Sequence, residues 1–182
     1  MIFTADSYEA RPLALSWQDS DGHAAAAWKA AYIVKRCTEH EAFFTDYMKD
    51  TPAARQAVVA TLAKPDTLLW EVNKAAKSGQ ALDLVGILRL SEVVPGCTAK
   101  AHYFFFDRRL RDKTALLQAW KRWAFEEARL HRVTVEVPDF AKILAYHAER
   151  HLGFVKEGTM RQAIRWRGEW REVHILGCVN DG

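Results

Sequence analysis

Apolar and polar positions along the chain change period several times, and each change marks an element. From Ala24 to about Lys49 the alanines, Trp28, Ile33, Phe43, Phe44 and Tyr47 recur at helical spacing, with a break expected near Thr38. Thr51 and Pro52 give an N-cap followed by proline at the first helical position, which predicts a second helix to about Ala63 that stops before Pro65. The texture shifts at Thr67. TLLWEV reads as a strand, KAAKSGQ as a turn, and LDLVGILRLSEVV, Leu82 to Val94, as a longer strand closed by Pro95-Gly96. AHYFFF, Ala101 to Phe106, is nearly all apolar, the pattern of a strand buried on both faces. Three strands on short turns predict an antiparallel meander.

Beyond the charged run DRRLRDK, the residues Leu116, Leu117, Trp120, Ala124, Phe125 and Ala128 return to helical spacing, with Asp112 or Thr114 expected as the cap. RVTVEV then alternates strictly: Val133, Val135 and Val137 face one way, Thr134 and Glu136 the other. A helix is predicted from about Phe140 to His151, ended by Gly153. FVKEG and MRQAIRWRGEWREVHILGCV read as strands, the last pair turning at Arg167-Gly168. Residues 1–22 show no clear period before the turn-like DSDG. With no repeat and no linker, this order predicts a single α+β (mixed α/β) domain over residues 1–182, an N-terminal segment with helices (1–66) preceding a sheet-bearing core (67–182).

Composition narrows the class. The 182 residues suffice for one real core, and 49% hydrophobic with 27% charged residues is typical of a soluble globular chain. No apolar run approaches the ~20 residues that a bilayer crossing needs. MIFTADSYEARP lacks the basic and apolar regions of a secretory signal, and Cys37, Cys97 and Cys178 form neither a metal-ligand spacing nor a disulfide framework. A reducing cytoplasm and buried, structural cysteines are therefore expected. A formal charge of +3 does not by itself imply a nucleic-acid partner.

Two charged stretches carry candidate chemistry. In FFFDRRLRDKTALLQAW the cations Arg108, Arg109, Arg111 and Lys113 gather where a strand meets the start of a helix. Cations there oppose the helix dipole unless an anion joins them, so a polyanion is the expected partner. RWRGEWR, Arg165 to Arg171, interleaves arginine and tryptophan as nucleic-acid surfaces do. On an alternating hairpin the simpler reading puts tryptophans on one face and arginines on the other, and nucleic acid is not the expected partner. No GxGxxG, HExxH or serine-nucleophile elbow is present.

Phe125-Glu126, Leu130 to Val133, Leu152 to Phe154, Glu157-Gly158, Arg161 and the final hairpin, in that order, resemble the GNAT acyltransferase family, and most closely its ribosomal-protein N-acetyltransferase branch. The similarity runs from about Leu82 to Val179. A looser similarity, prompted by VPGCTAKAHYFFFD, is to short GNAT-like proteins of tailed bacteriophages.

The resemblance implies the GNAT acyl-CoA N-acyltransferase fold. Its central, mostly antiparallel sheet is flanked by helices and splayed between the fourth and fifth strands, here Ala101 to Phe106 and Arg132 to Val137. It implies acetyl-CoA as acyl donor, an amine acceptor (protein N-terminus, lysine or small-molecule amine), and a monomer or homodimer, with room for a protein partner. The cofactor would lie against Phe104, Phe105 and Phe106, its pyrophosphate at the next helix N-terminus. The family's glycines there are replaced at or near Arg109, Arg111 and Lys113. Those side chains with Arg108 and Thr114 would either substitute for the glycine cradle or block it. Glu136 is the first candidate general base and His102 the second. The tyrosine that commonly protonates the departing thiolate would fall at Glu149, with Tyr146 one turn earlier, and an asparagine expected earlier on that helix falls at Lys142. These departures favour the other reading of the chain, a catalytically inactive GNAT-fold binding or assembly protein.

Overall fold

The computed structural model describes residues 1–13, 31–33, 35–36, 52–62, 64–74, 83–106 and 111–181. Of the helix expected over Ala24 to Lys49, the described residues 31–33 and 35–36 are helical and the rest lie outside this set. Thr51, Cys37, Leu82, Arg108, Arg109 and most of the KAAKSGQ turn also lie outside it.

Eight strands form one sheet: β1 (Phe3–Ala5), β2 (Tyr8–Pro12), β3 (Leu68–Lys74), β4 (Asp83–Val94), β5 (Thr98–Phe105), β6 (Arg132–Pro138), β7 (Val155–Trp166) and β8 (Glu169–Val179). Their spatial order is β1-β2-β3-β4-β5-β6-β8-β7. Every neighbouring pair is antiparallel except β5 and β6. The helices are α1 (Pro52–Leu62), α2 (Thr114–Glu126) and α3 (Lys142–Leu152), and a 3-10 turn at Arg111–Lys113 leads into α2. Among the described residues, no helix is long and apolar enough to cross a membrane.

Alternation assigns the two faces of the meander. Trp70, Val72, Leu88, Leu90, Ala99, Ala101 and Phe105 point to one side, where Leu116, Leu117, Trp120 and Ala124 of α2 and Ala148 and Leu152 of α3 close over them. Leu69, Ile87 and Phe106 point to the other side and pack with Ile33. Gly86 is required by this packing: a Cβ there would lie 2.4 Å from the Phe104 carbonyl oxygen and 2.5 Å from the Phe105 ring. One stripe of α2 holds α3. Thr114 Oγ1 meets His147 Nε2 at 2.9 Å, Gln118 donates to the His151 carbonyl, and Lys121 donates to the Leu152 carbonyl at 2.6 Å. The spacing of 114, 118 and 121 puts all three on one side of the helix.

Several expectations are corrected. The β1–β2 hairpin was not legible, because Ala5 and Ala10 carry half of its alternation. Its Phe3 packs against Trp70 and Trp123, ring centroids 5.8 and 5.7 Å apart, and so joins it to α2. Neither Asp112 nor Thr114 caps α2; Lys113 stands at the N-cap and makes no side-chain cap bond. Val155 to Trp166 is one strand rather than two, its pairing shifted by irregularities at Lys156/Gly158 and Met160/Ile164. Cys178 is buried as expected, whereas Cys97 is exposed in the β4–β5 turn. The hairpin tryptophans do not share a face. Register places Trp166 opposite Glu169 and Arg165 opposite Trp170, so successive pairs point to opposite sides.

Candidate active site

β5 and β6 are parallel neighbours that pair over three residues each: Thr98 with Arg132, Ala99 with Val133 and Lys100 with Thr134. Beyond Lys100 they part. β5 stays laddered to β4 as far as Phe105, and β6 stays laddered to β8 as far as Pro138, so each follows its own antiparallel partner. From 101 to 105 the β6 side of β5 has no ladder partner. The gap opens toward the end of β5 from which the chain runs on to α2.

On the sheet face away from α2, polar side chains collect around the start of this gap. Lys100 donates to Glu136 Oε1 at 3.0 Å and to Glu92 Oε1 at 3.1 Å. These two carboxylates raise the Lys100 pKa, the Glu136 bond contributing most. Glu92 comes from a bulge in β4, where the register slips between Ser91 and Val94 and its φ is +53°. A non-glycine residue in that region is strained, and bulges commonly re-aim side chains at functional sites. His102 sits opposite Arg89 across β4–β5, and its Nε2 meets buried Ser91 Oγ at 2.9 Å. The surrounding protein, and then the Arg89 charge, push the His102 pKa down to about 4, although one side of the imidazole still reaches solvent. At neutral pH the ring is therefore uncharged.

The helix-covered side of the same gap is different. An apolar cavity of about 10 Å³ lies there, bounded by Ala101 and Tyr103 of β5, Val133 and Val135 of β6, and Leu117 and Trp120 of α2. The Tyr103 hydroxyl and the Trp120 indole Nε1 are buried without a hydrogen-bond partner. Burial alone raises the Tyr103 pKa, which keeps its O–H intact.

The structure brings Glu136 and His102 into one cluster, on the two strands that part. Tyr146 is not in it: the ring lies on α3, 61% exposed, edge-on to His151. Phe104 and Phe105 belong to the parted stretch of β5 and Phe106 follows it, with Phe105 and Phe106 buried. Arg111 opens the turn before α2. Lys113 does not project into solvent as its charge suggested. It is fully buried, its ammonium 4.8 Å from the Tyr8 ring centroid and 5.1 Å from that of Phe105. The Thr114 hydroxyl is engaged by His147, itself buried with its pKa lowered by that burial and then by His151. Ser91, Glu92, Lys100, Tyr103 and Trp120 were not singled out from sequence. Ser91 and Lys100, polar residues at the edge of apolar strands, carried a usable signal; the bulge that aims Glu92 carried none.

No protein-family model and no curated protein matches the chain by sequence. Solved structures do match by shape. RimL, a ribosomal L7/L12 alpha-N-protein acetyltransferase in complex with coenzyme A, superposes with TM-score 0.73 at 14% identity, covering 100% of this chain and 99% of its own. The ribosomal-protein-S5-alanine acetyltransferase of Vibrio fischeri gives 0.69 at 19%, covering 100% and 97%. A variant of the spermidine N-acetyltransferase SpeG of Vibrio cholerae gives 0.70 at 14%, covering 95% and 94%. The chain has the GNAT acyl-CoA N-acyltransferase fold, a mixed sheet with flanking helices, and the gap between β5 and β6 is that fold's splay.

Proposed function

We propose that the protein is an N-acyltransferase that moves an acetyl group from acetyl-CoA to an amine, whether a protein N-terminus, a lysine or a small-molecule amine. One observation carries this reading. Two parallel strands part beside the start of a helix, and the parted strands present a carboxylate, Glu136, and an uncharged imidazole, His102, on one face. The unladdered backbone of β5 offers fixed dipoles to a thioester carbonyl. The α2 N-terminus, with no side-chain cap, offers amides to a pyrophosphate. Arg108, Arg109 and Arg111 are the side chains in this reading that reinforce it, whereas Lys113 helps by holding the start of α2 against the sheet. Glu136 and His102 accept the proton that the amine sheds, and Ser91 fixes the His102 ring.

Titration calorimetry with acetyl-CoA tests the reading. Micromolar binding that weakens with salt, and weakens further when Arg109 and Arg111 are both replaced by alanine, is expected. No heat with millimolar acetyl-CoA would leave the non-catalytic reading, for which the glycine-free loop and inward Lys113 already speak.

A further inference from the structure

The polar face of the gap holds a cation that the described residues leave unanswered. Arg89 is half-buried on β4, between Leu69 of β3 and His102 of β5. Its Nε is buried without a hydrogen-bond partner, while the forked end of the guanidinium is not buried with it. Asp66 and Glu92 act on the group through space, and no carboxylate among the described residues forms an ion pair with it. Other strand arginines behave differently. Arg11, Arg132 and Arg171 each hold a carboxylate, from Glu9, Glu157 and Asp139. Arg161 and Arg165 hold none among the described residues, but they are exposed and water serves them. A guanidinium taken partly out of water loses hydration that an anion ordinarily returns, and it stays charged regardless. Lys100 does not share this condition, since it is already bonded to Glu92 and Glu136. The partner that Arg89 lacks is an anion from outside these residues.

We infer that Arg89 binds a carboxylate carried by the acceptor, so that the acceptor is a free α-amino acid rather than a lysine side chain or an amine without an anionic group. This rests on the acyltransferase reading above and narrows it. Register sets the geometry. Arg89 pairs with His102, which stands two residues past Lys100, and Glu136 stands two past Thr134, the partner of Lys100. The three side chains form a row across β4, β5 and β6, with the unpaired cation at one end and a carboxylate at the other. Two strand spacings make that row about 10 Å wide at the backbone. An α-amino acid whose nitrogen and carboxylate each make a hydrogen bond of about 2.9 Å spans roughly 8 Å, within the reach of these long side chains. Its amine then lies beside His102 and Glu136, at the start of the gap. The nitrogen bonds to the acetyl carbon and the carbon–sulfur bond breaks with its electron pair on sulfur. Of the two protons the ammonium sheds, one ends on the coenzyme A thiol and one in solvent. The acceptor carboxylate takes no part in these bond changes and serves only to hold the amine in place. A phosphate fits less well, because its second charge would face Glu92 and Glu136, which Lys100 alone offsets.

The test measures acetyl transfer from acetyl-CoA to the common protein α-amino acids and to the amide of each, which keeps the amine and the side chain and loses the charge. Phosphoethanolamine is the phosphate arm. For the best acceptor, kcat/KM should favour the free acid by roughly 10- to 100-fold, mostly through KM, the order that a charged hydrogen bond supplies. Arg89→Gln should bring that ratio to about one, and Arg89→Lys, which keeps the charge and loses the fork, should keep part of it. The ratio is read within each variant, so a loss of folded protein, which lowers both rates alike, leaves it unmoved. An amide as good as its acid, phosphoethanolamine better than every amino acid, or a ratio that survives Arg89→Gln would overturn the assignment. Absence of transfer to any of these amines would overturn it too. Calorimetry with acetyl-CoA then decides the wider reading, which survives if acetyl-CoA binds and falls if it does not.

Discussion

The two sides of the β5–β6 gap are built from alternate residues of the same strands and share almost no chemistry. The side away from α2 carries Arg89, Ser91, Glu92, Lys100, His102 and Glu136: Lys100 joins Glu92 to Glu136, buried Ser91 meets His102, and the Arg89 Nε is buried with no hydrogen-bond partner. The side under α2 is apolar, walled by Leu117, Trp120, Val133 and Val135, and the Tyr103 hydroxyl and Trp120 Nε1 are buried there without a hydrogen-bond partner. The difference teaches a division of labour that a period-two strand makes cheap. In the acyltransferase reading, charge on one face would handle protons and a cationic amine, while a dry slot on the other would exclude water from the reacting bond.

Substitutions on the two faces should therefore separate in kind. On the polar face, Glu136→Gln and His102→Gln should each lower kcat by about 10²–10⁴, the usual worth of a positioned general base, while acetyl-CoA affinity and the urea midpoint hardly move. A matching loss of acetyl-CoA affinity would show that the faces are not separate. On the helix side, Leu117→Ala should cost about 2–5 kcal/mol of stability by urea denaturation, because Leu117 is 1% exposed and bounds the cavity it would enlarge. A cost below about 1 kcal/mol would mean that α2 is not what closes the slot.

Of the polar face, Glu136 and His102 were named from the sequence and their partners Arg89, Ser91, Glu92 and Lys100 were not; of the dry face, the unpaired polar atoms were not. Strict alternation in RVTVEV placed Glu136 opposite the valines, whereas His102 was named only through the family resemblance, as a second candidate base. Gly153, at φ +74°, ended α3 where a glycine signal put it. Tyr103 was hidden inside AHYFFF, since a near-continuous apolar run says that a strand is buried and not which of its polar atoms will lack a partner. Lys113 misled for a related reason. Charge argues for solvent, but the 3-10 turn before α2 carries its stem inward over Tyr8 and Phe105. RWRGEWR shows the limit of composition, because register rather than residue type put its tryptophans on opposite faces.

The smallest expected effect sharpens the comparison most, because each face holds one histidine whose pKa is lowered. His102 titrates at about 4 in the folded chain against about 6.5 unfolded, chiefly because the protein crowds the ring and secondarily because Arg89 faces it; Lys100 adds to the depression, while Glu92 and Glu136 oppose it. His147, buried under α2, is lowered by desolvation and then by His151. In both cases the unfolded chain binds more protons than the folded one as pH falls below about 6.5. Each histidine thus leaves stability unchanged above that pH and removes it progressively below, down to the folded pKa, about 4 for His102. The expected measurement is a smaller drop in urea midpoint between pH 7 and pH 5 for His102→Gln and for His147→Gln than for wild type. Salt should distinguish the two. Part of the His102 depression is Arg89 acting across a solvent-reached face, so 0.5 M salt should shrink the His102→Gln difference. His147 owes its shift first to burial, and salt should leave its difference nearly intact. Equal salt sensitivity at both would place His102 in surroundings as dry as those of His147, and the contrast between the faces would fail.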